Sequence, residues 1–174
     1  MTRALAGGAV GGTDATDAVS ALYTEHALGL TRMAFLILGD RFAAEDVVQE
    51  AFCGLYVAWD RLRSHDSVVG YLRVSVLNGC RSAIRRSQRA PKPVVVAPVA
   101  SAEADAMSSE ERRVTVAAVR RLPPRQREVL ILRYFAELPM NEIAEVMGVS
   151  VGTVKSTTAR GLAALGRMLR EEEQ

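Results

Sequence analysis

Residues Met140 to Leu165, MNEIAEVMGVSVGTVKSTTARGLAAL, leave this chain little freedom in local structure. Ile143, Ala144 and Met147 recur at helical spacing, Gly148 offers the left-handed backbone that ends such a helix, and Ser150 can cap the next one. A connection this short admits only two helices in close contact, so the stretch reads as a helix-turn-helix. The spacing of the second helix puts Val151, Val154, Gly161, Leu162 and Leu165 on its buried face, and Thr153, Ser156, Thr157 and Arg160 together on the other. Short hydroxyl side chains with one arginine near a helix N-terminus suit base edges and phosphates in a major groove, with Lys155 placed to bind a phosphate. An antiparallel helix pair with a solvated polar face satisfies the same turn rules.

The rest of the chain is helical in pattern as well. From Asp14 or Asp17, either able to cap, Val19, Leu22, Tyr23, His26, Leu30, Met33, Ala34, Ile37 and Leu38 repeat at threes and fours until Gly39-Asp40 ends the helix. The glycine- and alanine-rich residues 1–13 before it carry no stripe and are expected to form a disordered leader. A second helix places Val47, Val48, Ala51, Phe52, Leu55, Tyr56 and Trp59 on one side. Glu45, Asp46, Gln49 and Glu50 lie on the other side, where charge ordinarily marks a wetted surface. Arg63 to Val68 lack periodicity and are expected to be a loop. The third helix follows, with Val69, Leu72, Val76, Leu77, Cys80 and Ile84 inward and Arg73, Arg81, Arg85, Arg86 and Arg89 outside.

Between Ala90 and Met107, Pro91, Pro93 and Pro98 exclude a helix, and the run Val94 to Val96 has no partner strand elsewhere in the sequence, so an extended linker is expected. Ser108 and Glu111 have capping-box spacing and open a helix through Val114, Ala117, Ala118 and Arg121. Pro123-Pro124 ends it and starts RQREVLILRYF, whose Val129, Leu130, Leu132 and Phe135 are expected to support the helix-turn-helix. The reading is thus all-α: two small helical domains, residues 14–89 and 108–170, joined by a linker at 90–107 and followed by a frayed tail at 171–174.

Charge is informative only when resolved along the chain. The formal net charge of +2 hides a basic run at Arg81, Arg85, Arg86, Arg89 and Lys92, an acidic stretch at Glu103, Asp105, Glu110 and Glu111, and a second basic group at Arg120, Arg121, Arg125 and Arg127. Basic patches on separate segments suggest two contacts with a polyanion. Cys53 and Cys80 stand apart from each other and from His26 and His65, so reduced structural thiols, no metal and no cofactor are expected. His26 and Trp59 read as core neighbours rather than as a ligand or a stacking platform. The apolar run around Met33 to Leu38 is far too short to span a bilayer, and the glycines of the leader do not form a signal peptide, so no membrane insertion and a cytoplasmic location are expected.

The segments AEDVVQEAFCGLY and LPPRQREVLILRYFAELPMNEIAEVMGVSVGTVKS resemble two parts of the extracytoplasmic-function (ECF) sigma factors of bacterial RNA polymerase, and the resemblance runs from about Ala18 to Arg170. It implies that Asp46, Gln49, Glu50 and Phe52 dock on the β′ clamp of core RNA polymerase, with the β flap as a further contact. It implies that Ser150, Thr153, Lys155, Ser156, Thr157 and Arg160 meet duplex DNA at the −35 element. Ser64, His65 and Asp66 of the loop, with Asn78, Arg81 and Arg85 of the third helix, would capture the melted single strand at −10, a task suited to a cationic rim. The linker would thread between the two sites. The family makes no bonds itself, and no nucleophile, base and orienter stand together in this sequence. Many relatives carry an aspartate where this chain has Ser82 and arginine-leucine where it has Thr157-Thr158, so promoter sequence does not transfer. VLNGCRS and STTARGL are similar to an actinobacterial subgroup called the SigE family. With no further domain expected after Arg170, control is expected from an anti-sigma factor. The alternative is a LuxR-type helix-turn-helix regulator that does not bind core polymerase, which LPPRQREVL followed by EIAEVMGVSVGTVKS also resembles. It requires a receiver or ligand domain ahead of it, and residues Asp14 to Arg89 offer helices only.

Overall fold

The computed structural model describes residues 10–62, 65–89 and 110–172, and among these every regular element is helical. Helix α1 spans Val10–Leu38, α2 Arg41–Ala58, α3 His65–Arg89, α4 Glu110–Arg121, α5 Pro124–Leu130, α6 Met140–Met147 and α7 Val151–Glu172. A short 3-10 turn, Trp59–Arg61, closes α2, and a π-helical turn, Ile131–Phe135, extends α5.

The first three helices form one unit. Gly39 ends α1 with φ +77°, and Asp40 caps α2 by accepting the Ala43 N–H at 3.1 Å, so two long helices reverse direction within two residues. Leu30, Met33, Ala34 and Ile37 of α1 meet Val47, Val48, Ala51, Phe52 and Leu55 of α2, and Val68, Leu72, Val76, Leu77 and Cys80 of α3 complete the layer. Gly79 permits the closest approach: a Cβ there would stand 2.7 Å from Val47 Cγ1.

The remaining helices form the second unit. Pro124 sits at the start of α5, where its missing N–H costs nothing. In the π turn the Ala136 N–H bonds to the Ile131 carbonyl five residues back, and Glu137 takes φ +54° to leave the helix. Val129, Leu130, Ile131 and Leu132 are buried and carry the helix-turn-helix on their surface.

Several expectations change. Helix α1 begins at Val10, so residues 10–13 of the expected leader are helical, while residues 1–9 lie outside the described part; a helix already nucleated extends at one bond per residue. Helix α3 begins at His65, inside the expected loop, and α7 carries through Glu172 into the expected tail. The linker and the Ser108 cap lie outside the described residues. Tyr23, Tyr56 and Phe135 are exposed rather than buried. For Phe135 the cause is the π turn, whose wider register rotates the last residue of the segment off the face set by Val129 and Leu132.

The two units do not keep separate cores. Their buried side chains form one continuous cluster from Ala27 to Val154, because α1 packs on α4, α5 and the π turn, and α3 packs on α6.

Candidate polymerase and nucleic-acid interfaces

The α6–α7 turn is built as its sequence dictates. Gly148 takes φ +65°; its N–H bonds to the Glu145 carbonyl at 3.2 Å, and the Val149 N–H to the Ala144 carbonyl at 3.0 Å, the paired bonds of a Schellman end. Ser150 Oγ accepts the Thr153 N–H at 3.1 Å and lies 3.0 Å from Thr153 Oγ1, which caps α7 and fixes the Thr153 hydroxyl.

The outer face of α7 presents Gly152, Thr153, Lys155, Ser156, Ala159 and Arg160 to solvent. Arg160 lies along the helix with Nε on the Ser156 carbonyl at 3.2 Å, and Ser156 Oγ donates to the Thr153 carbonyl at 3.1 Å. Thr157, expected on this face, is buried at 8% exposure, and Thr158 beside it is buried too. Thr158 Oγ1 donates to the Val154 carbonyl at 2.8 Å, which satisfies the hydroxyl and lets the side chain face inward. The buried stripe therefore runs through Val154, Thr157, Thr158 and Gly161, and Val151 and Leu162, expected inside, lie exposed. Val151 and Ala159 add apolar groups beside the hydroxyls, of the kind that meets a thymine methyl. Sequence spacing missed Val151 because it stands one turn before buried Val154 on the same side of the helix, at the first position of α7, where it lines a shallow depression with Asn141, Ala144 and Glu145 of α6.

On α2 the acidic side is fully formed as a surface. Asp46, Gln49 and Glu50 line one shallow depression with Cys53. Phe52, which the resemblance places among the docking residues, is instead buried at 5% exposure, its ring edge-to-face with Tyr23 at 4.9 Å. It holds α2 against α1. The most exposed apolar groups on α2 are Phe42 and Val57, at 79% and 77%, beside the exposed Tyr56; no periodicity singled out Phe42 and Val57, because they flank the stripe rather than interrupt it.

On α3, Asn78, Arg81 and Arg85 recur at three and four residues along one face, and Arg81 Nη1 donates to Asn78 Oδ1 at 3.3 Å. Arg85 Nη2 donates to Ser82 Oγ at 2.9 Å. Ser64 lies outside the described residues. His65 and Asp66 open α3 thirteen and twelve residues before Asn78, roughly 20 Å away along the axis, so the two halves of the expected strand-binding set are not adjacent.

Arginines expected outside point inward. Arg81 places Nε at 3.2 Å and Nη2 at 2.9 Å from the carboxylate of Glu128, a residue only 2% exposed, and Arg125 adds a contact at 3.3 Å. Arg127 Nη1 donates to the Ile37 carbonyl at 2.8 Å, and Arg120 stacks on the Phe35 ring with its guanidinium carbon 4.6 Å from the centroid. Burial lowers the pKa of both Arg120 and Arg127, although guanidinium groups remain charged. Cys80 lies under this contact, and burial first, then the Glu128 charge, push its thiol from 9.0 up to about 12. Cys53 is exposed and Cys80 buried, and both are free thiols. No group of side chains that could hold a metal occurs among the described residues.

The α6–α7 pair has the geometry of a helix-turn-helix seated on α5 and the π turn, and the first unit carries a separate acidic face on α2. Residues 22–90 match the family described as Sigma-70 region 2, and residues 112–165 match Sigma-70 region 4. The chain is 30% identical over 144 residues to the RNA polymerase sigma-E factor of Streptomyces avermitilis, covering 83% of this chain and 80% of that one. It is 31% identical over 156 residues to the ECF RNA polymerase sigma factor SigW of Bacillus subtilis, covering 80% and 82%. The chain belongs to the ECF sigma factors of the sigma-70 family. Its fold is shared with the sigma factor RpoE of Bartonella quintana, solved with the anti-sigma factor NepR, at TM-score 0.67 and 21% identity over 86% of this chain and 96% of that one. It is shared too with CnrH, solved with the cytosolic domain of CnrY, at TM-score 0.66 and 21% identity over 92% and 95%. The region 2 match occupies the half of the chain where a LuxR-type regulator needs its receiver or ligand domain, so the sigma-factor reading displaces that alternative.

Proposed function

We propose that the protein is a promoter-recognition subunit that binds core RNA polymerase in the cytoplasm, brings it to −35 and −10 elements and helps open the −10 region. The observation that carries this reading is the match of both sigma regions, in order, on one chain. Asp46, Gln49 and Glu50 on the exposed side of α2 are the docking set for the β′ clamp, and Phe52 contributes by holding that helix in place. Thr153, Lys155, Ser156 and Arg160 on α7 meet the −35 duplex, with Ser150 fixing the first turn. Asn78, Arg81 and Arg85 of α3 hold the −10 single strand by charge and hydrogen bonding. In this division the unit of residues 14–89 serves polymerase and the −10 strand, and that of 108–170 serves the −35 duplex and the β flap.

The mechanism is differential binding. Phosphate contacts supply affinity that falls steeply with salt, a few base edges supply specificity, and capture of unstacked bases favours the open strand. The sigma factor makes and breaks no covalent bond. An anti-sigma factor that covers these faces controls it.

The test is recovery of purified bacterial core RNA polymerase on the immobilised protein, followed by run-off transcription from the DNA upstream of its own gene. Association with start-site-specific transcripts is expected, and Asp46→Ala should weaken recovery without loss of helix content. Duplex binding without polymerase association would overturn the proposal.

A further inference from the structure

The seam between the two units joins a residue assigned above to DNA with a buried acid. All three nitrogens of the Arg81 guanidinium are committed: Nε and Nη2 to the Glu128 carboxylate, and Nη1 to Asn78. A fork of this kind is the geometry with which arginine also grips a phosphate. A carboxylate and a phosphodiester cannot occupy one guanidinium face together. Glu128 is on α5, the helix on which the helix-turn-helix is seated, so the unit assigned to the −35 duplex holds a strand-binding residue of the other.

The seam is also built to part. Arg120 Nε and Arg127 Nε are buried there without a hydrogen-bond partner among the described residues. Each loses its hydration on closure and regains it on opening. Separating the buried Arg81–Glu128 pair by opening returns both ions to water, which costs far less than deleting one partner inside the closed form. What closes the seam is apolar contact between α1, α4, α5 and the π turn, the Arg127 bond to the end of α1, the Arg120–Phe35 stack, and an outer pair between Arg73 and Glu142 at 3.6 Å.

We propose that α5 is an intramolecular competitor for nucleic acid, with Glu128 occupying Arg81 in a closed form and releasing Arg81 and Asn78 to a single-stranded phosphodiester backbone when the two units part. This rests on the assignment of Arg81 to the −10 strand. The closed chain is a weak single-strand binder, because its observed affinity is the intrinsic one scaled by the open fraction. Single-stranded DNA in turn favours the open form by the same coupling.

The test uses the full chain. Small-angle scattering gives its radius of gyration, and fluorescence anisotropy its affinity for a labelled pool of short random-sequence single-stranded DNA, in wild type, Glu128→Gln, and Glu128→Gln combined with Arg81→Ala. Circular dichroism confirms that each variant is folded. If Glu128→Gln does not fold, Arg127→Met, which removes the Ile37 bond but keeps the aliphatic bulk, takes its place. The expected result is a compact wild type, an expanded single variant that binds the DNA about tenfold more tightly, and loss of that gain in the double variant. An unchanged radius of gyration in the opened variant would overturn the latch. Expansion with no gain in affinity, while Arg81→Ala still weakens binding, would overturn the competition and leave the strand assignment standing. Expansion with affinity indifferent to Arg81 would overturn both.

Discussion

Thr157 and Thr158 lie inside α7 while Thr153 and Ser156, of much the same chemistry, lie outside. A hydroxyl bonded to the carbonyl one turn back leaves a β-branched side chain that packs like a valine, and for Thr158 that bond is the one to Val154. Thr157→Asp should therefore destabilise the helix-turn-helix, read as a lower thermal midpoint, whereas Lys155→Ala should leave the midpoint in place and reduce the slope of log affinity against log salt for duplex DNA by about one. Arg160→Ala should weaken binding to the cognate −35 duplex on the order of tenfold, with little change on unrelated DNA. The two thiols differ as sharply. Cys80 keeps its proton in the native state up to about pH 12, while the unfolded chain gives it up above 9.0. The stability this contributes is complete below pH 9.0 and is lost as pH rises from there toward about 12. Urea midpoints at about pH 8 and about pH 10 should fall more for wild type than for Cys80→Ala. At neutral pH a thiol reagent should modify the exposed Cys53 and spare Cys80.

Helix positions were readable from sequence wherever a stop signal had a single physical meaning. Gly39-Asp40, Gly148 and Ser150 fixed both tight reversals, and the structure uses each as expected. Gly148 is a clean test because nothing lies within 4 Å of a Cβ placed there, so only its φ of +65° opposes a side chain. Gly148→Ala should lower stability by about 1–2 kcal/mol, with Gly148→Asn less costly, measured by urea unfolding. At Gly79 the objection is steric rather than conformational, since a Cβ would meet Val47 at 2.7 Å. Gly79→Ala should cost about 1–3 kcal/mol and be partly relieved by Val47→Ala. The π turn was not legible, because ILRYF has an ordinary helical pattern, and the extra residue per turn shows itself only in where Phe135 and Glu137 end up. Val151 and Leu162 were misplaced for a related reason. Periodicity finds a face but not how far along the helix a neighbour covers it.

At the scale of the whole molecule the arginines divide by partner, not by sequence. Arg81, Arg120 and Arg127 belong to runs that read as two solvent-facing basic patches, yet each is turned onto the other unit of the same chain. The family, the helix count and the tight α6–α7 turn followed from the sequence because they rest on local signals: apolar spacing, caps, and a glycine that alone fits a left-handed turn. The same holds for Asp46, Gln49 and Glu50, which α2 exposes together simply through helical pitch. The continuous core, the burial of Glu128 and the engagement of Arg81 depend on contacts between residues as much as 90 positions apart. No periodicity encodes such pairs. An arginine on a helix surface looks the same in sequence whether it awaits a phosphate or already holds a carboxylate, and only the packing of one unit on the other decides which.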